Sequence, residues 1–194
     1  MGRKVRTRRV RPKSKDARRY HEEVFLPRMN ALQAEIESTP LTVLVWGPGE
    51  SETLLYDQRL EIMNALRDSN VDADMSEALV SNADEWSTQS QEFIQAMSAD
   101  VIIVLCASPG SIAEVSAFSN YPEIAAKMVV FLDRKHDHSY VATGPAQDVS
   151  VLGNVHYYDS PDDLITGRLI KKALFVVRRY QMAAWYRRTA GGGK

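Results

Sequence analysis

The sequence predicts an α/β fold of the flavodoxin-like kind: five mainly parallel strands in the order 2-1-3-4-5, with helices on both faces. Three observations carry this expectation. Short apolar, β-branched runs alternate with helical-period segments, the pattern of successive β-α-β units with right-handed crossovers. Val101-Ile102-Ile103-Val104-Leu105-Cys106 is apolar at every position, as a strand must be when helices cover both sheet faces. The first apolar run stops at Gly47-Pro48-Gly49, a strong turn signal.

The elements follow in chain order. Residues 1–16 carry many like charges and few apolar groups, so a disordered basic tail is expected there. From Ala17 to about Ser38, Tyr20, Val24, Met29 or Leu32, and Ile36 recur at helical spacing, with Pro27 placed to kink or divide the helix. Leu41–Trp46 reads as the first strand and 53–68 as a helix with Leu54, Leu55, Leu60, Ile62, Met63 and Leu66 on its period. Asn70–Met75 is a short second strand, and 84–98 a polar-faced helix carrying Trp86, Phe93, Ile94 and Met97. After the strand at 101–106 a helix occupies 110–119; Met128–Leu132 and Val155–Tyr158 are strands four and five. One long helix from about Pro161 to Arg188 closes the fold, with Ser160 as N-cap and Pro161 in the first turn. The expected organisation is a tail over 1–16, a helix over 17–38, one α/β domain over 39–188 and a flexible end over 189–194.

Composition bounds the function. The chain has 194 residues, 44% of them hydrophobic, which suits one domain with a real core. No run approaches the roughly 18 uninterrupted apolar residues of a membrane helix, and no apolar stretch follows the basic start as in a secretory signal. Cys106 is alone, so an internal disulfide is excluded and a reducing cytoplasm is the expected location. The net charge of −1 hides a partition. Residues 1–19 hold ten Lys/Arg against Asp16, residues 168–194 hold eight with no acid, and 20–167 hold six against twenty-four acids. Basic ends on an acidic body attract a polyanion or fold back onto the body.

In a 2-1-3-4-5 sheet, ligands bind beyond the carboxyl ends of strands one and three, where the strand order reverses. The loops meeting there are Gly47-Pro48-Gly49-Glu50 and Ala107-Ser108-Pro109-Gly110. Gly110-Ser111-x-x-Glu114 follows the most apolar strand and opens a helix. A helix N-terminus favours a phosphate or a hydroxyl-rich ligand, and Gly110 permits close backbone approach. Ser111 caps the helix or donates to the ligand. A partly buried Glu114 can attack, or stabilise, a sugar carbon that is losing its base. The same spacing is also that of a plain capping box, in which Glu114 only returns a hydrogen bond to the cap.

These segments resemble the nucleoside 2-deoxyribosyltransferase-like superfamily. The Gly47-Pro48 pair resembles that family's opening strand and loop. Ser98-Ala99-Asp100-Val101-Ile102-Ile103-Val104 is similar to its third strand, and Ser108-Pro109-Gly110-Ser111-Ile112-Ala113-Glu114-Val115 to its S-x-G-[ST]-x-x-E helix start. The resemblance spans about 41–160. It implies that Glu114 is the nucleophile on the anomeric carbon. The two loops at the switch point put Gly47, Pro48, Gly49, Ser108, Gly110 and Ser111 around the substrate, and Asp57, after the first loop, either reaches a ribose hydroxyl or a base or lies on the helix surface. The chain departs from the family where Cys106-Ala107 replace an acid after the third strand, and where Trp46 stands in the neighbourhood of a first-strand Tyr. Lonely-guy-type phosphoribohydrolases and Toll/interleukin-receptor-like NAD hydrolases place a glutamate on a comparable helix. All three break an N-glycosidic bond.

The resemblance thus implies a nucleoside, nucleotide or NAD-like substrate and a place among toxin effectors of bacterial defence systems; no cofactor and a homo-oligomer are also expected. The competing class is a non-catalytic nucleotide-binding or nucleic-acid-associated module on the same fold, suggested by the basic termini. Weaker candidates are His136 and His138 as a metal pair or phosphate contact, Tyr56 beside Asp57 on the first helix after the loop, and Cys106 as a small core residue.

Overall fold

The computed structural model describes residues 14–81 and 85–191, so 1–13 of the expected tail over 1–16 and 192–194 of the expected end over 189–194 lie outside the described residues, while Lys15 and Asp16 of that tail fall in a helix capped by Ser14. Its elements are α1 (Lys15–Tyr20), a π turn (His21–Phe25), α2 (Leu26–Glu37), β1 (Thr42–Trp46), α3 (Thr53–Asp68), β2 (Asp72–Asp74) and a 3-10 turn (Ser76–Leu79). Then come α4 (Thr88–Ser98), β3 (Val101–Cys106), α5 (Pro109–Phe118), α6 (Pro122–Ala125), β4 (Met128–Asp133) and a second 3-10 turn (Arg134–His136). The chain ends with α7 (Tyr140–Thr143), α8 (Pro145–Leu152), β5 (Asn154–Tyr158), α9 (Asp162–Ile165) and α10 (Arg168–Gly191).

The five strands form one sheet in the order β2-β1-β3-β4-β5, and every neighbouring pair is parallel. Alternation along the strands divides the core in two. Val43, Val45, Val101, Ile103, Leu105, Val129 and Phe131 face Ile62 and Leu66 of α3 and Leu169, Ala173 and Val177 of α10. Leu44, Trp46, Ile102, Val104, Cys106, Val130 and Leu132 face Ala96 of α4, Val115 and Phe118 of α5, and Val149 of α8. Helices on both faces bury all six residues of β3 and all six of β4, which is why β3, and β4 as far as Leu132, read as unbroken apolar runs; the last residue of β4 is the buried Asp133.

The structure corrects several boundaries. The expected long helix from Pro161 is two helices. α9 ends at Ile165, Gly167 adopts a left-handed φ of +64°, and α10 begins at Arg168. Ser160 makes no cap; the Ser160–Pro161 peptide is cis and Pro161 occupies the N-cap position. Asp163, 3% exposed, holds the joint by accepting from Lys172 at 2.9 Å and from the Asp159 amide at 3.2 Å. α4 starts at Thr88, not 84, because the Ser87 side chain caps it by accepting from the Ser90 amide. β2 is only three residues, since in Asp72-Ala73-Asp74 just the Ala is buried. Pro27 falls in the first turn of α2, next to the π turn. Gly144-Pro145 joins α7 to α8. α10 continues past the expected end at Arg188 to Gly191. Among the described residues, no helix is long and apolar enough to cross a membrane.

Candidate functional site

The parallel pairing of β1 with β3, from Val43 opposite Val101 to Trp46 opposite Val104, places the two expected loops side by side. The first loop starts hard against β3: a Cβ built on Gly47 would stand 3.0 Å from the Leu105 Cβ and 3.3 Å from the Leu105 carbonyl. Gly47 is therefore fixed by close approach. A Cβ on Gly49 meets nothing within 4 Å, and one on Gly110 meets only the Ser108 Oγ at 3.9 Å, so both backbones border open space.

The start of α5 is built from serines. Ser108 is the N-cap and accepts from the Ser111 amide, with Pro109 in the first turn. Ser111 is 1% exposed. Its hydroxyl accepts from the Ala107 and Ser108 amides at 3.0 and 2.9 Å and donates to the Ser108 carbonyl at 3.0 Å. The capping box therefore runs from Ser108 to Ser111, not from Ser111 to Glu114. That answers the plainer reading of the motif: the cap is complete without Glu114.

Glu114 is partly buried, and its Oε2 is buried with no hydrogen-bond partner. A carboxylate in that position favours its proton. Burial, then the negative charges of Glu92 and Glu77, push its carboxyl up to about 7, while Arg59 pulls the other way. Glu92 on α4 is raised in the same way, by burial and then by Glu77. Burial also works to raise Glu77, but its hydrogen bond to Arg59, together with the other hydrogen bonds and the Arg59 charge, leaves it lowered. The Cys106 thiol is raised to about 12 by burial and then by Glu114, so it stays protonated and packs as a core residue.

Arg59, Glu77 and Glu92 were not singled out from the sequence. Arg59 had a signal: it lies on the same helical stripe as Leu55, Ile62 and Leu66, a cation among core positions. Glu77 and Glu92 had none, because only the tertiary arrangement brings them to Glu114.

Asp57 is exposed on α3, and Tyr56 is half-buried beside it. His136 lines a cavity of about 600 Å3 with Ser51, Glu52, Ala107, Asp133 and Tyr158, at the carboxyl ends of β3, β4 and β5. His138 stands in solvent 3.6 Å from Asp137. Among the described residues, no three His, Cys, Asp or Glu side chains are grouped to hold a metal ion. A second recess, of about 640 Å3, lies between α4 and α5 and is lined by Trp86, Phe93, Phe118 and Tyr121.

No curated protein matches the sequence. Among solved structures, the CMP N-glycosidase BcmB of Clostridium botulinum aligns with a TM-score of 0.44 and 18% identity, over 66% of this chain and 98% of that one. Residues 59–181 of the 194, a span that includes β2 to β5 and Glu114, match the family described as STM3845 retron effector protein, and the chain belongs to that family.

Proposed function

We propose that this chain is an N-glycosidic-bond enzyme acting on a nucleoside, nucleotide or NAD-like substrate, with Glu114 as its catalytic carboxylate, and that it serves as the effector of a retron defence system. The observation that carries the chemistry is the partnerless, buried Oε2 of Glu114 at the helix start beside the β1–β3 switch point. The cap of α5 does not use that carboxylate, since it closes on Ser108 and Ser111. The family description supports the effector role.

The chemistry follows from the environment. A sugar carbon that loses its base acquires positive charge, and a desolvated carboxylate stabilises that charge far more than a hydrated one does. Glu114 attacks the anomeric carbon, the carbon–nitrogen bond breaks, its electron pair leaves on the base, and the base takes up a proton. The glycosyl group then passes to water or to an acceptor. With its carboxyl near 7, about half of Glu114 is ionised at neutral pH. The loops Gly47–Gly49 and Ser108–Gly110 present backbone to the sugar, and Ser111 holds the second loop in shape. The aromatic recess beside α5 offers flat apolar surface to a base.

Incubating the pure protein with nucleosides, nucleotides and NAD, and resolving the products by chromatography, tests the reading. Free base from at least one member is expected. Intact substrates throughout, at neutral and mildly alkaline pH, contradict it.

A further inference from the structure

Arg59 projects from α3 into the core and is 2% exposed. Its Nε and Nη2 donate to the Val45 carbonyl at 2.9 and 2.7 Å, and its Nη1 to the carbonyls of Gly47 and Pro48 at 3.4 Å each. Both Nη atoms also donate to the Glu77 carboxylate, at 2.5 Å each. One planar fork thus ties together the end of β1, the first residues of the Gly-Pro-Gly loop and the 3-10 turn after β2. The Arg59 stem also packs under that loop, its Cδ 3.4 Å from where a Cβ on Gly47 would stand.

We propose that Arg59 and Glu77 are positioning residues for the reaction at Glu114: the fork fixes the Gly47–Gly49 loop against β3, and the ion pair sets the charge that Glu114 faces. The proposal rests on the functional reading above. The charges that act on Glu114 come from three separate segments, Glu92 on α4, Glu77 on the turn and Arg59 on α3, and Glu114 in turn acts on the neutral thiol of Cys106 on β3. Glu92 and Glu77 hold the proton on Glu114, and Arg59 draws it off. The pair is a lever because its members act in opposite directions on the same carboxyl.

Glu77→Gln is the informative variant. The Glu77 side chain is 54% exposed, and Arg59 keeps its bonds to the three backbone carbonyls, so the fold survives. The change removes a like charge from Glu114 and leaves Arg59 less neutralised, and both effects lower the proton affinity of Glu114. The Glu114 midpoint is read without substrate, from the pH dependence of urea unfolding with and without Glu114→Gln. Glu77→Gln is expected to move that midpoint down, and the acid limb of base release with it. Arg59→Lys keeps the charge but cannot fork, so it is expected to raise KM roughly tenfold while the acid limb stays in place. An unchanged KM in a folded Arg59→Lys protein overturns the anchoring role. A midpoint that ignores Glu77→Gln, or rises, overturns the electrostatic one. Base release that ignores Glu114→Gln overturns the functional reading instead, and the substrate-free midpoint tells the two failures apart.

Discussion

Replacing Glu114 by Gln should make the protein more stable at alkaline pH while abolishing its activity. The carboxyl titrates near 4.5 in an ordinary setting and near 7 here, raised by burial and by Glu92 and Glu77 against Arg59. The unfolded chain therefore releases this proton first as pH rises, and native stability falls between those two values. It is fully present below 4.5 and lost as pH passes through about 7. At about 1.4 kcal/mol per pH unit, the interval corresponds to about 3 kcal/mol, an upper figure because Glu114 is only partly buried. The Gln variant carries no such loss. Any cost of placing an amide at this site is the same at every pH, so it cancels when two pH values are compared. Urea unfolding of both proteins at pH 4.5 and pH 8 gives the double difference directly. The variant should gain on the wild type by about 1–3 kcal/mol between them, roughly 2–10 °C in Tm for a chain of this length. A difference independent of pH, or one that runs the other way, refutes the account of Glu114 as a desolvated carboxylate without a partner.

Other outcomes follow from the same structure. The kcat/KM for base release should rise with pH and level off above about 7, since the attacking carboxylate must be ionised; a profile flat from pH 5 to 9 removes Glu114 from the attack. Gly49→Val, where a Cβ meets nothing within 4 Å, should leave Tm within a degree or two yet weaken substrate binding roughly tenfold or more, as measured by KM. Gly153→Ala should be damaging for a different reason: its Cβ would lie 2.3 Å from the Ala125 carbonyl and 2.7 Å from that of Met128, and thermal melting should show a loss of several degrees. Deleting residues 1–16 should weaken salt-dependent RNA or DNA binding and leave base release unchanged, with Arg3, Lys4, Arg6, Arg8, Arg9 and Arg11 as interchangeable charges; equal affinities at low salt exclude the arm as a nucleic-acid contact.

Strand order and the placement of both loops were legible because they rest on patterns that survive folding. β3 is apolar at every position, and β4 from Met128 to Leu132, since helices cover both faces, and the Gly-Pro-Gly stop marks the end of β1. The break between α9 and α10 was not legible, because Ile165, Leu169, Ile170 and Ala173 keep a helical period across Gly167, and only its left-handed backbone ends the helix. The cap of α5 was not legible, because Ser111-x-x-Glu114 has the spacing of a capping box while the box that closes runs from Ser108 to Ser111, one turn earlier. Glu114 itself was visible. Its acidic neighbours were not, since Glu77 and Glu92 come from separate segments and only the fold brings their charges to bear on Glu114. The electrostatics of the site is a property of the fold, whereas the position of its carboxylate is a property of the motif.

The most direct test of the central claim compares base release by the wild type and the Glu114→Gln protein on the same substrate, after circular dichroism shows both folded. The substitution keeps shape and removes the charge, so loss of an essential nucleophile should lower kcat by several orders of magnitude, about a thousandfold or more. A folded Glu114→Gln protein that releases base at near wild-type rate would contradict the account, whichever substrate it acts on.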